Sequence, residues 1–293
     1  DQPAIARATA LGLLAQRPSQ SGMQAIIAAL ADPDALVRTS ALPPLEAIDP
    51  SQRIQFAVTL LSDPIRSVRI EAARVLAAGH VTLRAGPEAA AFDSALAEYE
   101  HSLDALADRP GSHMGYGLLH TALGDQAAAE KSYRDAFQVD PQHIESRINL
   151  AELIYQQGRV AEAGSLLQQC VQIAPQHGIS HEALGRHQVR IKDYDAALVS
   201  LAEATRLMPD NAHIHYFYGV ALNQLSKFEQ ALVPLTRAHQ LAPQNPEYLI
   251  GLATICRDHS EWDLALSYAQ KLLAIDPRYT EVYQSIEAQS RAQ

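Results

Sequence analysis

Cysteine is scarce in this 293-residue sequence, which contains only two such residues. Cys170 and Cys256 stand 86 residues apart and form neither a CxxC nor a CxxCH motif, which excludes the zinc-finger, thioredoxin-like and covalent-haem classes. Long apolar runs are also missing, since none approaches the roughly 18 to 20 residues that span a bilayer and no stretch has the form of a signal peptide. We therefore expect no membrane insertion, while the cysteines leave the redox compartment undetermined.

Basic residues are too few to balance the acidic ones, and the imbalance lies in the rear of the chain. The formal net charge is -10. Residues 1–86 hold 8 basic and 7 acidic residues, whereas residues 87–293 hold 15 basic and 26 acidic residues. A surface that acidic repels phosphate backbones, and no local basic patch offsets it. Nucleic acid is therefore not an expected partner.

Repetition is the main positive feature of the sequence. In the rear of the chain a proline closes a similar phrase, such as VDP, IAP or LMP, every 34 residues. The series runs Pro141, Pro175, Pro209, Pro243 and Pro277. Proline cannot continue a helix, because it lacks an N–H and clashes with the preceding turn. The pattern predicts five helical units of this length.

Small residues recur with the same spacing as the prolines. One series is Ala129, Ala163, Ala197, Ala231 and Ala265, and another is Gly117, Ala151, Gly185, Gly219 and Ala253. Together with the prolines, these series resemble the tetratricopeptide repeat (TPR), in which a first helix presents its small residue to a second helix. The resemblance covers about residues 110–277 in five units, followed by a capping helix at 278–293. It implies a scaffold that binds a partner peptide or protein.

The front of the chain has a different, shorter period. Asp32, Val37, Arg38, Ala41 and Leu45 recur 31 positions later as Asp63, Val68, Arg69, Ala72 and Leu76. The pattern resembles the HEAT-type helical repeat, with the Asp-Pro pair as an N-terminal cap and Val-Arg as the start of the inner helix. One further step back reaches Asp1, Arg7, Ala10 and Leu14, in the middle of a repeat. We therefore expect the natural polypeptide to continue upstream of Asp1.

The expected fold is all-α, an α-solenoid of HEAT-like helical repeats followed by a right-handed TPR superhelix. The Ala- and Leu-rich composition, with 6% aromatic residues, agrees with such an array. A short linker is expected in GHVTLRAGPE, and an unpaired second helix at 88–107, in the phrase ALAEYEHSL, would seal the front of the TPR stack. The predicted domains are HEAT-like repeats at 1–80 with a truncated first repeat, a linker and orphan helix at 81–109, five TPR units at 110–277, and the capping helix at 278–293.

Twelve histidines raise the question of a metal or haem site. His113, His181 and His215 occupy the fourth position of a first helix, where the TPR packs an aromatic residue, so structural packing is the primary interpretation. His177 lies four residues before His181, and with His213 and His215 these residues could instead form a surface zinc site. No catalytic motif is present. We expect no enzyme, no resident metal and no cofactor in this segment.

The TPR resemblance places the binding surface on the first helices, which line a concave groove in such arrays. Arg186 and Arg190 are four residues apart, so they present two cations on one helix face to a partner's carboxylate. An ordinary solvated face, paired with Glu152 or Asp193, is the alternative. The predicted groove residues are Asn149, Glu152, Tyr155, Arg186, Arg190, Tyr216, Asn223, Thr254 and Arg257.

Two functions of different class remain open. The first is the protein-interaction scaffold. The second follows from the order of the repeats, which resembles the C-terminal region of bacterial multihaem c-type cytochrome proteins. That resemblance implies a periplasmic docking appendage whose active region lies upstream of residue 1, with contacts around Ala6, Ala10 and Leu14. Without that resemblance the compartment would be cytoplasmic.

Overall fold

The computed structural model describes residues 2–16 and 19–291, and within them every long element is a helix. The all-α prediction is confirmed. The position predicted at Asp1 and the last two residues of the predicted capping helix lie outside the described residues. The front helices are α1 Ala4–Gln16, α2 Gln20–Ala29, α3 Ala35–Ala41, α4 Pro50–Ala57, α5 Arg66–Leu76, α6 His80–Ala85, α7 Ala89–Asp104, α8 Pro110–Ala122, α9 Gln126–Val139 and α10 Ile144–Gln156. They are followed by α11 Val160–Ile173, α12 Gly178–Arg190, α13 Tyr194–Leu207, α14 Ala212–Gln224, α15 Phe228–Leu241, α16 Pro246–Asp258, α17 Trp262–Ile275 and α18 Thr280–Arg291. Short 3₁₀ helices occupy Pro43–Ala47, Val58–Ser62, Ala77–Gly79 and Pro277–Tyr279.

The chain divides between Arg159 and Val160 into two compact units. The front unit holds α1 to α10, and the rear unit holds α11 to α18. In the front unit one buried cluster extends from Ala8 to Leu119, so the front repeats and the first unit of the proline series share a single core. The division falls inside the second unit of that series, between its two helices. The domain boundaries drawn from the sequence stay a prediction.

The helices of the rear array follow the register of the prolines along the whole series. The first helices α8, α10, α12, α14 and α16 begin one full repeat apart, and so do the second helices α9, α11, α13, α15 and α17. Each second helix ends two residues before one of the five prolines, as Leu207 does before Pro209. The prolines therefore mark the helix ends as the sequence indicated.

Small residues lie where the first and second helices cross. The five alanines of the second-helix series are all 0% exposed. At Gly219 of α14, an added Cβ would lie 2.5 Å from Cγ of Leu235 and 3.1 Å from the carbonyl oxygen of Ala231, both on α15. At Gly117 of α8 it would lie 2.3 Å from Cε1 of Tyr133. Carbon atoms in contact prefer about 3.5–4.0 Å, so these crossings require glycine.

The turn between the two helices of each unit contains a residue with positive φ. These residues follow the same register: Gly124 (77°), Gly158 (82°), Lys192 (63°), Ser226 (59°) and Ser260 (62°). Glycine adopts this left-handed conformation without steric cost, whereas lysine and serine do not. The turns at Lys192, Ser226 and Ser260 therefore have the same backbone conformation as the turns at the two glycines, although their side chains do not favour it.

A ladder of ion pairs connects the front repeats. Its rungs are Arg7–Asp32 at 2.8 Å, Arg38–Asp63 at 2.8 Å and Arg69–Glu98 at 2.7 Å. In each rung the Nε and Nη2 atoms of the arginine donate to the two carboxylate oxygens, a bidentate arrangement. The arginines are spaced by one front repeat, so the ladder reproduces the period of the sequence. The HEAT-like assignment itself stays a prediction.

The capping role predicted for the Asp-Pro pairs at 32–33 and 63–64 is wrong. The N-cap of α3 is Asp34, whose side chain accepts from the amide of Leu36, and α5 has no side-chain cap. Asp32 and Asp63 lie farther upstream, where each accepts from an amide two residues later as well as from an arginine of the ladder. Their carboxylates therefore join neighbouring repeats and order the turn before the helix.

Helix α7 is the predicted second helix without a first helix of its own. Its Ala95 and Tyr99 are buried at positions that match Ala129 and Tyr133 one register step later. The helix packs on α5 through the Arg69–Glu98 pair and on α8 through the hydroxyl of Tyr116, which donates to the carbonyl oxygen of Glu100 at 3.0 Å. The segment before it, expected to be a linker, contains the short helix α6. Its Leu83 is buried in the front core.

Candidate binding groove

Three of the residues predicted for the groove line one cavity in the rear unit. The cavity has a volume of about 550 Å³ and lies between the first helices α14 and α16. Tyr216 and Asn223 belong to α14, and Thr254 belongs to α16. We call this cavity the notch. The lining residues that the sequence did not indicate include Val220, Gln224, Glu247, Ile250, Gly251 and Ile255.

A glycine shapes one wall of the notch. Gly251 stands one register step after Phe217, so the position that holds an aromatic side chain in the fourth unit holds none in the fifth. The ring of Tyr216 approaches this bare backbone, because a Cβ at position 251 would lie only 2.7 Å from its Cε2 atom. The same ring packs against Tyr248, with 5.2 Å between the ring centroids. Tyr216 is therefore held between α16 and its own helix.

A row of rings leads from the notch towards α12. The centroids of Tyr216 and Phe217 are 5.8 Å apart, and those of Phe217 and His213 are 4.7 Å apart, both edge to face. The guanidinium of Arg186 lies 5.8 Å from the centroid of Phe217, within the range of a cation–π contact. Arg186 makes no ion pair with any residue in the described part of the chain. Its charge is therefore open to an incoming group.

A carboxylate is also held in this row. Oε1 of Glu182 on α12 lies 2.8 Å from Nδ1 of His213 on α14, and the Glu182 side chain is only 12% exposed. The sequence did not indicate this pair, because its two members are distant along the chain. The pair joins two neighbouring first helices next to the ring of Phe217.

The other predicted groove residues of the rear unit are partly engaged. Nε and Nη2 of Arg257 lie 2.9 and 2.7 Å from Oδ1 of Asp258, so this cation is already compensated. Asn223 accepts from Nε2 of His259 at 2.9 Å, which leaves its amide nitrogen available as a donor. Arg190 is half-buried and already engaged.

Three predicted groove residues belong to the front unit. Asn149, Glu152 and Tyr155 lie on α10, and all three are half-buried. Glu152 is near its helical neighbour Gln156, whose Nε2 lies 3.4 Å from its Oε1. The nine predicted residues are thus divided between the two units, and their use in binding stays a prediction.

The three histidines at the fourth position of a first helix each make the same type of hydrogen bond. The Nε2 atom of each donates to a carbonyl oxygen six residues earlier: His113 to Ala107 at 2.9 Å, His181 to Pro175 at 2.9 Å and His215 to Pro209 at 2.8 Å. A carbonyl only accepts, so Nε2 carries the proton in each case. This supports the structural interpretation of these side chains. Within residues 2–16 and 19–291, no group of three potential ligand side chains is placed to hold a metal ion.

Arg147 occupies the equivalent position on α10, where it is only 7% exposed. Its Nη1 donates to the carbonyl oxygen of His143 at 3.1 Å, and its guanidinium lies 4.6 Å from the centroid of Phe137. Its Nε has no hydrogen-bond partner among the described residues. In the fifth unit the same position holds Leu249, which is fully buried. The site is therefore suited to an aliphatic side chain.

We expect Arg147→Leu to raise the free energy of unfolding by about 1–2 kcal/mol, because it removes a buried charge with an unsatisfied N–H. Urea unfolding of the purified chain measures this change. Arg278→Leu is the control, since that side chain is 88% exposed and its loss should leave the free energy of unfolding nearly unchanged. A destabilised Arg147→Leu protein would mean that the contact with Phe137 outweighs the burial of the charge.

Both cysteines are buried. Cys170 and Cys256 are each 0% exposed. Burial raises the pKa of Cys256 to about 11. The Cys256 thiol is therefore protonated at neutral pH, which does not favour a nucleophilic role.

Comparisons with known proteins identify part of the rear array as tetratricopeptide repeats. Family models of the tetratricopeptide repeat match residues 120–186 and 182–246, so this part of the chain consists of such repeats. A comparison with curated proteins found no match. No helix within the described residues is both long and apolar enough to cross a membrane.

Several solved structures share the fold. One is MamA 41-end from Desulfovibrio magneticus RS-1, which is 16% identical, with a TM-score of 0.52 over 58% of this chain and 96% of that one. Another is TTC0263, a thermophilic TPR protein of Thermus thermophilus, which is 23% identical, with a TM-score of 0.50 over 61% of this chain and 99% of that one. At these identities the likeness shows the fold alone. The resemblance to multihaem cytochrome proteins stays a prediction.

Proposed function

We propose that this chain is a protein-interaction scaffold that binds an extended segment of a partner protein along the first helices α12, α14 and α16. The observation that carries the proposal is the notch between α14 and α16, connected by a row of rings to Arg186 on α12. Tyr216, Asn223 and Thr254, which the sequence assigned to the groove, line that notch. Such a surface supports recognition of a partner rather than chemistry on it.

Each part of this surface can make a defined contact with a peptide. Aromatic rings that are already fixed by packing, such as those of Tyr216 and Phe217, offer a large contact area and lose little conformational entropy on binding. The free amide nitrogen of Asn223 can donate to a main-chain carbonyl of an extended segment. Arg186, half-buried over a ring, can form a charge-assisted hydrogen bond with a carboxylate in surroundings less polar than water.

Selection from a random peptide display library, followed by calorimetry with the selected peptides, tests the proposal. We expect Arg186→Glu to weaken binding by about tenfold or more, because it removes a pairing cation and places a like charge against the peptide's carboxylate. Arg206→Glu is the matched control, since Arg206 is an exposed arginine on the second helix α13. It should leave the affinity unchanged.

Peptides whose affinity is equal for the wild type and Arg186→Glu would argue against the groove. Circular dichroism of each variant excludes loss of folding as the cause of a change. A selection that yields no binding peptide would also count against the proposal.

An exposed apolar face on α1 favours a second candidate, the docking appendage. Ile5 is 65% exposed and Leu13 is 60% exposed. From the sequence, this face was expected around Ala6, Ala10 and Leu14. Ala6 and Ala10 are exposed, but Leu14 packs against the front core. The exposed apolar face of α1 is therefore formed by Ile5 and Leu13 and does not include Leu14.

The appendage function predicts that this face carries the contacts of the chain. Sedimentation should then reveal self-association that Ile5→Glu together with Leu13→Glu abolishes. A monomer at high concentration would contradict it.

A further inference from the structure

The notch lies beside a repeat position at which the side chain changes size. The fourth unit carries Phe217 at this position, and the fifth carries Gly251. Apolar side chains line the notch, among them Val220, Ile250 and Ile255. Its volume of about 550 Å³ lies within the range of ligand pockets, roughly 300–1,000 Å³. A large apolar group placed there would bury part of its surface against these side chains.

Neutral polar side chains also line the notch, and Tyr216 is one of them. The hydroxyl of Tyr216, a lining residue, forms no hydrogen bond within the described ranges. Burial and, to a smaller extent, the negative charge of Glu247 raise the pKa of Tyr216. The phenol therefore stays protonated and can donate to a main-chain carbonyl of a bound segment.

A carboxylate without a partner stands at the rim. Glu247, the second residue of α16, is exposed and forms no ion pair with the residues that the structure describes. The other acidic residue that lines the notch, Asp258, is compensated by Arg257 at 2.7 Å. The rear unit that contains the notch, residues 160–293, has 14 acidic and 10 basic residues. The uncompensated charge at this end of the groove is therefore negative and attracts cations.

We infer that the notch accepts a large aliphatic or aromatic side chain of the partner segment and that Glu247 binds a lysine or arginine beside that side chain. The inference rests on the proposed function and gives the chemistry of the partner at the end of the groove away from Arg186. The opposite charges of Arg186 and Glu247 then fix the direction in which the segment lies. If Glu247 were only a solvated carboxylate at the start of α16, replacing it would not change which peptides bind.

The row of rings sets the distance between the two recognition points. The guanidinium of Arg186 lies 5.8 Å from the ring of Phe217, and that ring lies 5.8 Å from the ring of Tyr216, so Arg186 and the notch are within about 12 Å of each other. An extended chain rises about 3.3 Å per residue. A partner segment that uses both points therefore has an acidic residue within about four positions of the apolar one.

Parallel selections with one random library of peptides about twelve residues long test the inference. The library is panned on the wild type, Glu247→Lys and Thr254→Trp, in which the new ring would fill the notch. Glu229→Lys is the matched control for charge, because Glu229 is also exposed and is the second residue of its helix, α15. Val199→Trp is the control for a surface tryptophan, since Val199 is 74% exposed on α13.

On the wild type and both controls, we expect enrichment of peptides with a large apolar residue that has lysine or arginine within two positions. Glu247→Lys should replace the basic residue by aspartate or glutamate, and Thr254→Trp should abolish the preference for the apolar residue. A wild-type peptide should bind Glu247→Lys about tenfold more weakly, and changing its lysine to glutamate should restore most of the affinity.

Suppose that binding of the selected peptides depends on Arg186, but that the wild type, Glu247→Lys and Thr254→Trp all select the same peptide sequences. That result would overturn the inference and leave the proposed function standing. Peptides that depend on neither Arg186 nor the notch, or no enrichment at all, would overturn both.

Discussion

Replacing Asp63 by alanine is expected to lower the free energy of unfolding by about 2–3 kcal/mol, because it leaves a half-buried arginine without its counter-charge. The side chains of Arg38 and Asp63 are only 12% and 5% exposed, and two hydrogen bonds of 2.8 and 3.0 Å join them. Asp63 also accepts from the amide of Ile65 at 2.8 Å, so the turn before α5 loses its order as well. Urea unfolding at neutral pH measures the loss.

Asp32→Ala is the control within the same ladder. The Arg7–Asp32 side chains are more exposed, at 35% and 14%, so we expect a clearly smaller loss. Equal losses at both rungs would contradict the assignment of the effect to burial.

The contribution of Asp63 should also depend on pH. Burial alone would raise the pKa of Asp63, but hydrogen bonds from Arg38 and from the Ile65 amide hold that pKa below its usual value. A carboxylate with a lowered pKa in the folded state stabilises the protein above its unfolded pKa of about 4, and this stabilisation is lost as the pH falls through the folded value. The difference between the wild type and Asp63→Asn should therefore shrink below about pH 4. A difference that is constant with pH would argue against the ion pair.

The second large effect is expected at the crossing of α14 and α15. Gly219→Ala should lower the free energy of unfolding by about 2–3 kcal/mol, because the new methyl group overlaps Leu235 and approaches the backbone carbonyl of Ala231. Thermal or urea unfolding measures it. The matched control is Gly12→Ala in α1, where an added Cβ meets no described atom within 4 Å, so the better helix propensity of alanine should stabilise the protein by up to about 1 kcal/mol.

A double-mutant cycle separates overpacking from other causes. Leu235→Ala alone should cost about 2–5 kcal/mol, since it empties a fully buried position. In that background Gly219→Ala should cost little or nothing, because the atoms it overlapped are gone. The same loss in both backgrounds would show that Leu235 is not the reason for the glycine.

The fold could be predicted in detail where all five units meet the same physical requirement. A proline after each second helix and a small residue at each crossing recur at a constant spacing, so a divergent unit is placed by its neighbours. This is why the helix bounds follow the register even at Lys192, Ser226 and Ser260, whose side chains do not favour a left-handed turn.

The role of the front aspartates could not be predicted, because their partners are distant in the sequence. Asp32 precedes a helix, and an Asp-Pro pair at that place is typical of an N-cap. Its strongest partner is instead Arg7, 25 residues earlier, on another helix. Only the packing of α1 against α3 brings the two together.

The groove could be predicted only in part. The register identifies first-helix positions that face away from the core, and it placed Tyr216, Asn223 and Thr254 on one cavity. It does not tell which side chains neutralise one another, so Arg257 was assigned to a partner although it binds Asp258. The absence of a side chain at Gly251 was visible in the register, but the approach of a neighbouring ring was not.

A crystal structure of the chain with a peptide from the library selection tests the central claim most directly. We predict that the peptide lies extended along α12, α14 and α16, with its acidic residue at Arg186 and its apolar residue in the notch. A peptide bound to the second helices, or to the apolar face of α1, would contradict the account.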